Sequence, residues 1–171
     1  MAEIIKAYQE RMPAMRFIGK IYTNKDRVNG TYAAKWGEWH TQGWFQVLEE
    51  LKKAPQGEWD SYIGMCRVKD GEEFQYWIGM FLPENAEVPA GFSYQDFPAS
   101  ELGICWVRGL EKEVYMKDED CIKRLLADGI PVGPGLDGAW WCMERYQCPR
   151  FTTPNENGQI ILDYCFFIQN Q

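Results

Sequence analysis

A chain of 171 residues with 46% hydrophobic and 25% charged residues can bury one stable core, which excludes a disordered or fibrous protein. The net charge of −7, with no run of five or six like charges, argues against nucleic acid as a partner, because binding phosphate needs a basic surface. No stretch approaches the ~18 apolar residues of a membrane span, and the charged start MAEIIKAYQERM lacks the apolar segment of a secretory signal, so a cytoplasmic protein is expected.

In chain order, the first dozen residues read as a short amphipathic lead-in ended by Pro13. The alternation in Met15–Tyr22 predicts a strand, and the polar residues 24–31 a loop. From Tyr32 the period becomes helical. Trp36, His40, Trp44, Val47, Leu48 and Leu51 share one face, which predicts a single helix stopped by Lys52, Lys53, Ala54 and Pro55. Residues 61–68 and 74–82 read as strands joined at Asp70-Gly71, a hairpin signal. The breakers Pro83, Pro89 and Gly91 mark 83–91 as a linker.

The order then repeats. A lead-in strand at 92–97 precedes a strand at 102–109, a helix at 118–128 capped by Gly129, and a broken loop at 131–138. Strands at 139–151 and 159–169 flank a turn at 154–158. The expected fold is α+β: one domain over 1–171, built from two strand–helix–strand–strand units at about 14–83 and 92–169. Neither unit can bury its own face, so the two should share one mostly antiparallel sheet with a cleft along their pseudo-two-fold axis.

Eight Trp, nine Tyr and nine Phe make the chain 15% aromatic, which serves either a bulky core or a stacking cavity. The segment Trp140-Trp141-Cys142-Met143-Glu144-Arg145-Tyr146 is the most informative. In a strand, Trp140, Cys142, Glu144 and Tyr146 share one face, on which Glu144 is the odd carboxylate; its counterpart in the first unit is Cys66. One reading pairs Glu144 with Arg108 on a neighbouring strand or leaves it exposed at an edge. The other makes it a ligand-facing carboxylate in an aromatic box, a counter-ion for a stacked cation or, with its pKa raised by burial, a general acid or base. Tyr62, Tyr76, Trp106 and Tyr164 on strands are candidate walls, and Trp39, off the apolar helix stripe, a candidate rim. Trp36, Trp44 and His40 are assigned to the core.

The six cysteines, without a CxxC or a nearby His, read as reduced and mostly buried thiols, with no metal site. The sequence holds no GxSxG, GxxxxGK[ST], HExxH or usable GxGxxG, and no cofactor is expected.

The duplicated order, the IGM strand with its Asp-Gly hairpin, the stretch WCMERYQCPRFTTP and the closing ILDYCFFI resemble the GyrI-like small-molecule-binding domain, a bacterial effector-binding family also used as drug sensor by transcription activators. The resemblance implies an aromatic cleft with an acidic residue from the penultimate strand, here Glu144, and hydrophobic, often cationic ligands. Stand-alone members implied by it sequester toxic compounds or hydrolyse cyclopropane-bearing alkylators; there Glu144 would assist addition of water, with Tyr76 or Tyr146 as hydrogen-bond donors. About a dozen residues before the domain are too few for a helix-turn-helix, which argues against direct transcription activation. The expected partner is a small aromatic or cationic ligand, and the expected state a monomer or weak dimer.

Overall fold

The computed structural model describes residues 1–169. Its strands are β1 (Glu3–Met12), β2 (Met15–Tyr22), β3 (Tyr62–Val68), β4 (Gln75–Pro83), β5 (Ser93–Phe97), β6 (Ser100–Gly109), β7 (Trp140–Tyr146) and β8 (Ile160–Phe167). The helices are α1 (Ala33–Gln42), α2 (Trp44–Glu49), α3 (Glu111–Val114) and α4 (Asp118–Ala127). All strands join one open antiparallel sheet in the order β1-β6-β8-β7-β3-β4-β2-β5, so the α+β class and the shared sheet expected from the sequence are observed.

The pseudo-two-fold axis runs between β3 and β7, where Gly64 faces Glu144 and Cys66 faces Cys142. Each half carries the edge strand that precedes the other half in sequence. β1 leads into β2 yet pairs with β6, while β5 leads into β6 yet pairs with β2. Residues 3–12, expected as an amphipathic lead-in, are therefore a sheet strand. A register shift between Ile4 and Lys6 breaks the alternation, and the strand's partner lies some ninety positions away.

This exchange fixes the curvature of the sheet. Met12 and Met15 are separated by Pro13 and Ala14, a span of at most ~11 Å. In a flat sheet their strands would lie six intervals apart, or ~29 Å at ~4.8 Å each. The same holds for Phe97 and Ser100. The sheet must curl until its edges approach one another, and Phe97 on edge strand β5 accordingly stacks on Phe167 of β8 at 5.4 Å and meets Trp141 of β7 edge-on at 5.1 Å.

Three cores result. Met12, Phe17, Ile63, Met65, Trp77, Phe81, Phe97, Ile104, Trp141 and Met143 fill the inside of the curl. On the outside, α1 and α2 cover β2 and β4 through Trp39, Phe45 and Leu48, and α4 covers β6 and β8 through Cys121 and Leu125. The two helical layers flank the β3–β7 seam.

Two further expectations are corrected. The single helix from Tyr32 is two, because Gly43 takes a left-handed conformation (φ +71°) that ends α1 and restarts the chain as α2. That break resets the helical phase, so Trp39, Phe45 and Leu48 are buried while His40 is exposed. The strand expected over 139–151 stops at Tyr146, and residues 147–151 form a turn held by the Phe151 N–H donating to the Gln147 carbonyl at 2.9 Å.

Candidate functional site

β7 alternates along its whole length. Trp141, Met143 and Arg145 are buried inside the curl, whereas Trp140, Cys142, Glu144 and Tyr146 are half-buried on the outer face between the helical layers. On β3 the residues of the same outer face are Tyr62, Gly64 and Cys66, and β4 adds Tyr76, opposite Cys66, and Ile78, opposite Gly64. A Cβ at position 64 would lie 2.5 Å from the Tyr76 hydroxyl and 3.1 Å from the Trp36 ring, so the glycine lets both side chains lean over the seam.

Trp36 comes from α1. Its indole N–H donates to the Tyr76 hydroxyl at 2.9 Å, and its ring meets Tyr146 edge-on at 4.9 Å. Tyr32 stacks on Tyr76 at 4.2 Å, and Phe151 closes the far side of Tyr146 at 4.7 Å. Tyr62 lies across from Tyr146 and stacks on Phe45 at 3.7 Å. Tyr164 sits beside Glu144 on β8, its hydroxyl donating to the Val114 carbonyl at 2.7 Å. Together these side chains form an aromatic cluster over the seam, with Glu144 on the strand beneath it.

The structure thus brings Glu144, Tyr76 and Tyr146 together and places Tyr62 and Tyr164 on the same face. Trp140 shares that face but lies four residues along β7, about 13 Å away. Two proposed wall residues are elsewhere. Trp39 is fully buried beneath α1, its N–H donating to the Tyr22 hydroxyl at 3.0 Å. Trp106 points into the curl, where its N–H donates to Tyr8 at 3.2 Å and Arg150 stacks on it at 4.3 Å. Trp36, assigned to the core from its place on the helical stripe, packs against the outer core and also reaches over the seam to Tyr76 and Tyr146. Gly64 in the middle of a strand was the signal that a bulky group approaches there.

Glu144 has no Lys or Arg partner among the described residues. Arg108 is turned away and pairs with Glu3 at 2.5 Å, so the expected Arg108 bridge does not form. The adjacent Arg145 is engaged inside the curl by Asp163 and Glu10, each at 2.8 Å. Surrounded by protein, the Glu144 carboxyl loses water, and this burial pushes its pKa up to about 7. The Tyr146 hydroxyl works the other way, and the Asp118 carboxylate at the start of α4 adds to the rise. Burial and the Glu144 charge push Tyr76 and Tyr146 well above the usual phenol range, so both remain protonated donors at neutral pH. The ensemble offers one carboxyl, protonated hydroxyls and aromatic faces in one place. Among the described residues no cluster of three or more His, Cys, Asp or Glu could hold a metal ion, and no helix is long and apolar enough to cross a membrane.

The fold is the one that the resemblance to GyrI-like domains led us to expect. Comparison with solved structures shows this at the level of fold. The structure of SAV2435 bound to tetraphenylphosphonium superposes with a TM-score of 0.65 at 15% identity, over 97% of this chain and 95% of that one. The C-terminal domain of EcmrR gives 0.57 at 8% identity over 97% and 98%. A hydrolase encoded by lin2189 of Listeria innocua gives 0.53 at 9% identity over 96% and 92%. No protein-family model and no curated protein matches the chain.

Proposed function

We propose that the seam cleft binds hydrophobic aromatic cations, with Glu144 as counter-ion and Trp36, Tyr76 and Tyr146 as stacking walls. The observation that carries this reading is a half-buried carboxylate with no cationic partner among the described residues, set among aromatic rings. A buried charge without a partner is costly, and a bound cation supplies one. Each ring adds about 0.5–2 kcal/mol of cation–π attraction where water is displaced. The tetraphenylphosphonium held by SAV2435, a lipophilic aromatic cation, supports the reading. Sequestration or sensing of such compounds is the role that follows. A fluorescence titration with tetraphenylphosphonium tests it, with Glu144→Gln expected to weaken binding at least tenfold.

A second reading has its own observation. A carboxyl with a pKa of about 7 is poised to exchange protons at neutral pH, as a general acid or base must. Tyr76 and Tyr146 would then hold the substrate, and the reaction would be hydrolysis of a cyclopropane-bearing or other electrophilic aromatic compound. The fold shared with the lin2189 hydrolase is compatible with it. Incubation with a cyclopropane-bearing alkylator separates the two: catalytic formation of a hydrated product supports hydrolysis, and stoichiometric loss of substrate supports sequestration alone.

A further inference from the structure

The β3–β7 seam also holds two thiols that neither reading uses. Cys66 on β3 and Cys142 on β7 are directly opposed across the antiparallel seam. Both belong to the outer-face set, and both are half-buried rather than sealed in a core. Side chains so opposed have Cβ atoms about 4.5–5.5 Å apart, wider than the ~3.8 Å of an unstrained disulfide. The spacing therefore suits an atom bridging the two sulfurs better than a bond between them. We propose that Cys66 and Cys142 form a dithiol site for trivalent arylarsenicals, with the aryl ring received by Tyr76, Tyr146 and Trp36.

Three features select this ligand class. Paired thiols favour soft, thiophilic centres. Among the described residues no third Cys, His or carboxylate completes a metal-binding cluster with them, which disfavours an ion that needs three protein ligands. An arylarsenic centre needs two thiols, because its own carbon is the third ligand. The aromatic walls then fit the substituent that inorganic arsenite lacks.

The chemistry balances without an oxidant or reductant. An arylarsine oxide condenses with the two thiols: two As–S bonds form, the As–O bond is lost, and the oxygen leaves as water with both thiol protons. Arsenic remains trivalent throughout. Burial keeps both thiols protonated, Cys66 pushed up to about 12 and Cys142 raised well above the usual thiol range, and the condensation consumes thiols in that form. Glu144, two residues from Cys142 on the same face, is placed to pass a proton to the departing oxygen. This site shares the cleft with the cation reading but does not depend on it.

The test is titration of the protein with phenylarsine oxide, followed by intact mass and by quenching of tryptophan fluorescence. The expected result is one adduct per chain, reversed by 2,3-dimercaptopropanol. Cys66→Ser and Cys142→Ser should each weaken it at least tenfold while keeping a wild-type circular dichroism spectrum. Cys148→Ser, at the exposed thiol, and Cys121→Ser, at the buried thiol on α4, should bind like wild type. Absence of an adduct, or an adduct that survives in the Cys66 and Cys142 variants, would overturn the proposal. Tetraphenylphosphonium binding by the same preparations is read separately, so a failed cation reading leaves the arsenical result interpretable.

Discussion

At the scale of single residues, the seam carboxyl Glu144 makes the protein respond to pH. Its pKa of about 7 lies above the ordinary 4.5, so the folded protein holds a proton that the unfolded chain releases between those values. Stability therefore falls as pH rises through that window, and the penalty is constant above it. At about 1.4 kcal/mol per pH unit, and with the side chain half-buried, the penalty reaches at most ~3 kcal/mol. Glu144→Gln should be more stable than wild type near pH 8 by up to that amount and indistinguishable from it near pH 4, as read by urea unfolding. An equal difference at both pH values would remove the buried carboxylate from the account. The face on which Glu144 lies was legible in the sequence, because strand alternation alone sorts β7. The absence of a partner was not, since Arg108 could be assigned to Glu3 only once β1 was known to pair with β6.

At the scale of elements, Gly43 divides the helical region in two. Its left-handed turn separates α1 from α2, so α1 packs in its own orientation, with Trp39 buried and Trp36 donating to Tyr76. A continuous stripe through residues 36–51 assigns these roles the other way round, because periodicity assumes an unbroken helix. Replacing Gly43 by Ala places a Cβ at φ +71° and should cost about 1–2 kcal/mol. Thermal unfolding measures that loss, and an unchanged Tm would mean that the break does not need glycine. The strands of the two units were legible to within a few residues from alternation and turn residues. β1 was not, because its pattern is broken by a register shift and its partner is remote in sequence.

At the scale of the whole molecule, the exchange of β1 and β5 binds the halves into one curled sheet. The connection is reinforced by charge inside the curl. Arg145, fully buried, joins Asp163 on β8 to Glu10 on the exchanged β1, with Arg150 and Glu58 completing the network. Removing one member of such a buried set leaves its partners uncompensated, at a cost of about 3–5 kcal/mol. Arg145→Met should therefore destabilise by that amount in urea unfolding, whereas a loss below about 1 kcal/mol would mean that Glu10 and Asp163 are satisfied without it. The order of the elements was visible in the sequence, but the exchange was not: that order is the same whether an edge strand pairs with its own half or the other. Between the exchanged edges lies the seam of β3 and β7, which carries Glu144.

The central claim is that Glu144 is the counter-ion of a bound aromatic cation, and the affinity for tetraphenylphosphonium as a function of pH tests it most directly. Affinity should rise by up to tenfold per pH unit below about 7, as the carboxyl ionises, and level off above it. Glu144→Gln should bind more weakly, with no inflection near that pH. Equal affinity for wild type and variant at every pH would contradict the account.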